Sequence, residues 1–229
     1  MNKIYFLPMA ILLFSLLAAC QPHPTPVDST RHAPAANNST NFNSMNHGAT
    51  DHNSMNHSAM NHETMNHSAM QSAPNAGAQP FDLQFLDTMI AHHQGAVDMA
   101  KMVGGKTENA ELEKFAEQIT ADQTKEIAQM KQWRDEWFAG KPSAMNMEMP
   151  GMKESMQMDM GKLANATGRD FDAAFVEMMV PHHAGAVVMS RDALNKAEHQ
   201  EIKTLAGQII QGQEAEIKLM QNWKTKWSK

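Results

Sequence analysis

From residue 81 onward, apolar side chains return at steps of three and four, the spacing that lines them along one face of an α-helix. Phe85, Met89, His92/His93, Ala96 and Met99/Ala100 share such a face. The pattern predicts a helix from about Asp82, read as its N-cap, to a stop at Gly104-Gly105. A second stripe runs through Leu112, Phe115/Ala116, Ile119, Gln123, Glu126/Ile127, Met130, Trp133 and Trp137. It predicts a helix from near Thr107 to about Phe138, ahead of Gly140 and Pro142. Two helices cannot hide two such stripes from water by themselves.

The sequence supplies the other two. Residues 81–137 lie over 171–227 at a constant offset of 90, without a gap, and 22 of 57 positions are identical. Met89-x-x-His92-His93-x-Gly95-Ala96-Val97-x-Met99 reappears as Met179-x-x-His182-His183-x-Gly185-Ala186-Val187-x-Met189. Gln123-x-x-Glu126-Ile127-x-x-Met130-x-x-Trp133 reappears as Gln213-x-x-Glu216-Ile217-x-x-Met220-x-x-Trp223. A duplication of helix pairs (repeats 81–138 and 171–228) predicts an all-α, antiparallel four-helix bundle over residues 81–229. The connection at 140–170 is long enough to cross it.

The first 80 residues break the pattern. After Met1-Asn2-Lys3, Ile4 to Ala19 is an apolar run of 16 residues ending in Leu17-Ala18-Ala19-Cys20. This has the layout of a secretory signal, residues 1–19, and is short for a membrane span. Its ending resembles a bacterial lipobox, which implies cleavage before Cys20, lipidation of that thiol and anchoring at a membrane surface. An ordinary signal peptide with Cys20 left free is the plainer alternative. Gln21 is no inner-membrane retention signal, which favours the outer membrane in a Gram-negative cell. The stretch up to residue 80 is Asn, Ser, Thr, Ala, Pro and His; it has too little apolar surface to offset its ordering entropy and reads as a tether, residues 20–80.

Composition then changes the picture. The chain holds 22 methionines and 12 histidines against one tyrosine and one cysteine, far more methionine than core filling needs. A formal net charge of -6 gives no support to nucleic-acid binding. Much of the surplus lies in a tract at 45–70 with a five-residue beat: His47, His52, His57, His62 and His67. His52/Met55, His57/Met60, His62/Met65 and His67/Met70 each set an imidazole and a thioether three residues apart. Neutral thioether sulfur favours Cu(I) or Ag(I) over zinc, calcium or magnesium, and it forms no disulfide in an oxidising compartment. A mere low-complexity linker is the bland alternative. Met145, Met147, Met149, Met152, Met156, Met158 and Met160 crowd the crossover. They suit a second soft-metal site, or a cap on the bundle core.

Within the bundle, adjacent residues on a helix point about 100° apart, so His92 and His93 do not readily converge on one ion alone; one of them is expected to look inward with Met89 and Met99. Glu126 and Glu216 sit in apolar stripes where an unpaired carboxylate is costly, so each needs an imidazolium or a metal. Gln123 and Gln213 share those stripes and could hydrogen-bond the site. Pro181, inside a predicted helix, removes a backbone hydrogen bond just before His182-His183. The paired tryptophans read as core caps.

With both His-His motifs in view, residues 81–228 resemble the bacterial family called domain of unknown function 305. The resemblance implies a ferritin-like four-helix bundle, periplasmic copper-binding relatives linked to copper resistance, and a site at Met89, His92, His93, Met99, Met179, His182, His183 and Met189. The tract outside that match resembles the silver- and copper-binding proteins that accompany efflux pumps. The reading is therefore an envelope binding protein, not an enzyme, for Cu(I), with Cu(II) and silver left open. Its ligands are those eight residues, Glu126, Met130, Glu216, Met220, the tract and the crossover methionines. An efflux system or a copper oxidase is the expected partner, and a homo-oligomer is left open. One rival is a ferritin-like redox enzyme with a His/Glu metal site, although no Glu-x-x-His motif occurs. Another is a structural bundle whose tract binds metal incidentally.

Overall fold

The computed structural model describes residues 70–227; the signal segment, Cys20 and the tract before Met70 lie outside them. Among the described residues the chain is all-α, with α1 (Phe81–Lys101), α2 (Ala110–Trp137), α3 (Met152–Ser155), α4 (Met160–Asn165), α5 (Gly168–Lys196) and α6 (Gln200–Trp227). None of these helices is long and apolar enough to cross a membrane.

The ends of α2 follow from local chemistry. Asn109 caps it, its side chain accepting from the backbone N–H groups of Glu111 and Leu112, which satisfies donors that have no partner inside the helix. Asp82 behaves differently from the expected cap. Pro80 holds the N-cap position of α1 and Asp82 lies in the first turn. Its buried carboxylate accepts instead from the backbone N–H groups of Glu198 and His199, at 3.0 and 2.9 Å, where the chain enters α6. A cap was legible at Asp82, but its target lies 116 residues away.

α1 packs on α2, α5 packs on α6, and α1 also meets α5. Lys196, at the end of α5, lies over the ring of Phe81 at the start of α1, and Lys106 lies over Phe171 at the other end, so α1 and α5 run antiparallel. Phe115 meets Trp223 edge-on, and Trp137 stacks on His199, which sets α2 antiparallel to α6. Phe85, Leu86, Ile119, Phe171, Phe175 and Ile202 are among the fully buried core side chains; each large one contributes on the order of 1.5–3 kcal/mol by leaving water. α5 continues through Pro181 as one helix.

The crossover is pinned to the bundle rather than draped over it. Asp87 accepts from Ala144 N–H at 2.8 Å, and Thr88 Oγ1 accepts from Asn146 N–H at 2.9 Å. Further on, Gly151 meets Gly185 backbone to backbone. A Cβ on Gly185 would lie 2.5 Å from Gly151 O and 2.3 Å from Ser155 Cβ, and Gly151 itself has φ +85°. Glycine at both positions lets α3 sit directly on α5.

Candidate metal centre

The two His-His pairs meet at the middle of the bundle, all four side chains fully buried. The expectation that only one of each pair faces inward is not met. α1 is covered by α2 on one flank and by α5 with the crossover on another, so residues 100° apart are both enclosed. His92 and His182 face each other across the α1–α5 crossing, with ring centroids 3.8 Å apart. His93 turns to α2 and His183 to α6.

The carboxylates expected mid-stripe are the partners of this second pair. Glu126 Oε2 lies 2.7 Å from His93 Nε2 in a directed hydrogen bond, and Glu216 Oε2 lies 2.8 Å from His183 Nε2. The two contacts differ in quality. The His183 N–H does not point at Glu216 well enough to count as a hydrogen bond, so proximity holds that pair together more than direction. Both carboxylates remain about a quarter to a fifth exposed, 25% and 21%, which lowers the cost of burying their charge.

The contact with Glu126 sets the tautomer of His93. An imidazole donating from Nε2 to a carboxylate carries its lone pair on Nδ1. Nδ1 of His93 and Nδ1 of His183 are buried and have no hydrogen-bond partner, so an N–H there would lack an acceptor. His92 follows the same logic by another route. Ser155 Oγ donates to Met152 O at 2.9 Å, so it accepts from His92 Nε2 at 3.0 Å, and the His92 lone pair also falls on Nδ1.

The core that encloses the histidines is rich in soft donors. Met89, Met99, Met130, Met179, Met189 and Met220 are fully buried in the same core. Met149, Met152, Met156 and Met158 of the crossover are buried with them, while Met70, Met147 and Met160 pack half-buried at the edge. Met145 is half-buried too. Neutral imidazole nitrogen and thioether sulfur buried together suit Cu(I) or Ag(I). Among the described residues, no three side chains drawn from His, Cys, Asp and Glu converge at metal-binding range.

Of the ligands expected in the tract, Met70 alone falls within the described residues. His47, His52, Met55, His57, Met60, His62, Met65 and His67 lie outside them.

A groove of about 540 Å³ between α2 and α6 gives solvent access to Glu126 and Glu216. Gln123 and Gln213 line it too, but their buried amide oxygens make no hydrogen bond; the support expected from them is not seen. Trp133 stacks on Trp137, and Trp223 on Trp227, closing opposite ends of the helix pairs as caps.

Two residues escaped the sequence. Ser155 has no counterpart in either repeat, and nothing marks it. His199 is signalled only by a break in the duplication, where the offset of 90 pairs it with Asn109. It gives Asp82 a 2.6 Å contact through Nδ1 and stacks on Trp137 at 3.9 Å.

Known proteins share this fold. The family model described as "Domain of unknown function (DUF305)" matches residues 28–134 and 82–224. Among solved structures, the chain is similar to CopM in the Cu(I)-bound form, with 38% identity, 64% of this chain and 96% of CopM covered, and a TM-score of 0.55. CopM in the Cu(II)-bound form matches at 38% identity over 64% of this chain and 98% of that one, TM-score 0.54. CopM has also been solved with silver. A DUF305 protein from Streptomyces coelicolor is 29% identical over 64% of this chain and 91% of its own, with a TM-score of 0.53. No curated protein matches.

Proposed function

The chain belongs to the DUF305 family, and on that footing we propose that it is a Cu(I)-binding protein of the cell envelope, with its specific site among the bundle-core histidines and methionines. The observation that carries this is the buried Nδ1 of His93, which lacks a hydrogen bond while Glu126 accepts from the opposite ring nitrogen; in the second repeat His183 Nδ1 is equally bare and Glu216 lies 2.8 Å from its Nε2. Metal-ligating histidines characteristically donate their second N–H to a carboxylate, which fixes ring and tautomer. Glu126 and Glu216 thus orient ligands rather than bind the ion. His92, His93, His182 and His183 supply imidazole, and Met89, Met99, Met179 and Met189, which recur at matching places in both repeats, supply thioether. Copper bound to CopM, a relative with the same fold, supports the choice of metal, and silver bound to CopM supports a preference for soft monovalent ions.

The finer reading adds place and traffic. Leu17-Ala18-Ala19-Cys20 supports a lipid anchor on an envelope membrane, the outer one in a Gram-negative cell. The His-x-x-Met tract would act as a high-capacity, exchangeable store feeding the bundle, for copper tolerance or for handover to an efflux system or a copper oxidase. The thioether-rich donors support a binding role rather than catalysis.

The test is an anaerobic Cu(I) competition titration on the mature chain from Gln21, beside one lacking residues 45–69 and one with His92, His93, His182 and His183 all changed to Leu. Tight uptake that survives the deletion and disappears with the histidines supports the bundle site. Uptake that disappears with the tract alone makes the histidines core residues.

A further inference from the structure

The residues that follow the tract dock on the methionine-rich crossover, and with Met70 the junction gathers three thioethers from three places in the chain. Ala73 N–H donates to Met145 O at 2.8 Å, and Met147 N–H donates to Ser72 Oγ at 2.9 Å. Beside this pairing lies a cavity of about 330 Å³ lined by Met70, Met147 and Met156. Met70 closes the last His-x-x-Met of the tract. Met147 comes from the start of the crossover, and Met156 follows α3, where its backbone N–H donates to Met152 O at 3.1 Å.

The three differ in depth. Met70 and Met147 are half-buried against the edge of the core, while Met156 is 1% exposed and belongs to the core itself. Core packing accounts for Met156 and, at the edge, for part of the burial of Met70 and Met147. Met70 and Met147 also share an open cavity at the rim with Gln71, Gln157, Glu148 and Lys153. The residue before Met156 is Ser155, whose hydroxyl holds His92 Nε2. Surface cavity and buried histidine are thus joined through one turn of chain.

We propose that Met70, Met147 and Met156 form a three-thioether site for a soft monovalent cation, Cu(I) or Ag(I), at which ions pass from the tract to the bundle. Three neutral sulfurs suit such an ion and discriminate against hard divalent cations. Half-exposed ligands let it leave again. The site rests on the copper reading above, but it can fail independently of it.

The experiment is ¹³C NMR of the full mature chain labelled at the methionine methyl groups, titrated anaerobically with Ag(I) as a redox-inert probe. Met→Leu changes at the three positions, which conserve volume and apolarity, assign the signals; thermal melting checks that each variant folds. The expected result is that the methyls of Met70, Met147 and Met156 shift together, with one midpoint, and that the triple variant loses one bound ion. Methyls that shift at separate midpoints, or not at all, while other methionines respond would overturn it. Running the same titration on the four-histidine Leu variant separates the two claims. If the concerted shift persists there while uptake in the core is lost, both stand. If the shift is absent in the unaltered chain but histidine-dependent uptake remains, only the junction site falls.

Discussion

His92 and His182 meet ring against ring where α1 crosses α5, their centroids 3.8 Å apart and their planes inclined by 31°. They occupy the same position in the two repeats, so the duplication folds its halves around this contact. Two groups this close do not act independently. In a double-mutant cycle, His92→Leu and His182→Leu should show a coupling of roughly 0.5–3 kcal/mol in chemical unfolding. Additive effects would mean that the rings are neighbours without consequence.

Glu126 and Glu216 should separate stability from metal affinity. Glu126→Gln keeps the shape but weakens the hold on His93 Nε2, and losses of an outer partner of this kind typically cost roughly 10–100-fold in metal affinity. Glu216→Gln should cost less, because its contact with His183 is the less well directed of the two. Cu(I) competition titrations of the two variants check the order, and an equal or reversed order would contradict it.

Gly185→Ala should loosen the crossover. Its Cβ would lie 2.3 Å from Ser155 Cβ, so α3 must move away from α5 and the hydrogen bond from His92 to Ser155 stretches. Overpacking of this kind costs about 1–3 kcal/mol, read as a lower melting temperature. Gly207→Ala, at a site with nothing within 4 Å, should leave the melting temperature unchanged or raise it.

The two repeats also diverge at their first acidic residue. Asp82 holds the entry to α6 through two backbone N–H groups and His199, whereas Asp172 has a buried Oδ1 with no hydrogen bond. Asp82→Asn should destabilise by about 1–3 kcal/mol. Asp172→Asn should cost clearly less in the same denaturant titration.

What could be read in advance was what recurs along the chain. The three-and-four spacing around Phe85 and Ile119 marked the long helices, and the offset of 90 marked the duplication that pairs His92 with His182. The need of Glu126 for a partner was legible because a carboxylate in an apolar stripe must be neutralised, although imidazole or metal could not be chosen. What stayed hidden depends on contacts distant in sequence. Asp82 caps a helix start 116 residues on, and Ser155 reaches His92 across 63. The burial of both histidines in each pair needed the covering elements to be known. The crossover methionines had two readings, cap or ligand; Met152 and Met156 lie in the core, while Met147 shares a rim cavity with Met70.

The central claim is that the bundle histidines take the ion through Nδ1, with glutamate behind them. The measurement that tests it most directly is ¹⁵N NMR of histidine-labelled mature chain before and after one equivalent of Cu(I), observing both ring nitrogens. The account predicts that Nδ1 of His93 or His183 moves by a coordination shift while Nε2 of the same ring keeps its protonated signature. A shift at Nε2, or histidine rings that stay unchanged while the chain holds copper, would contradict it.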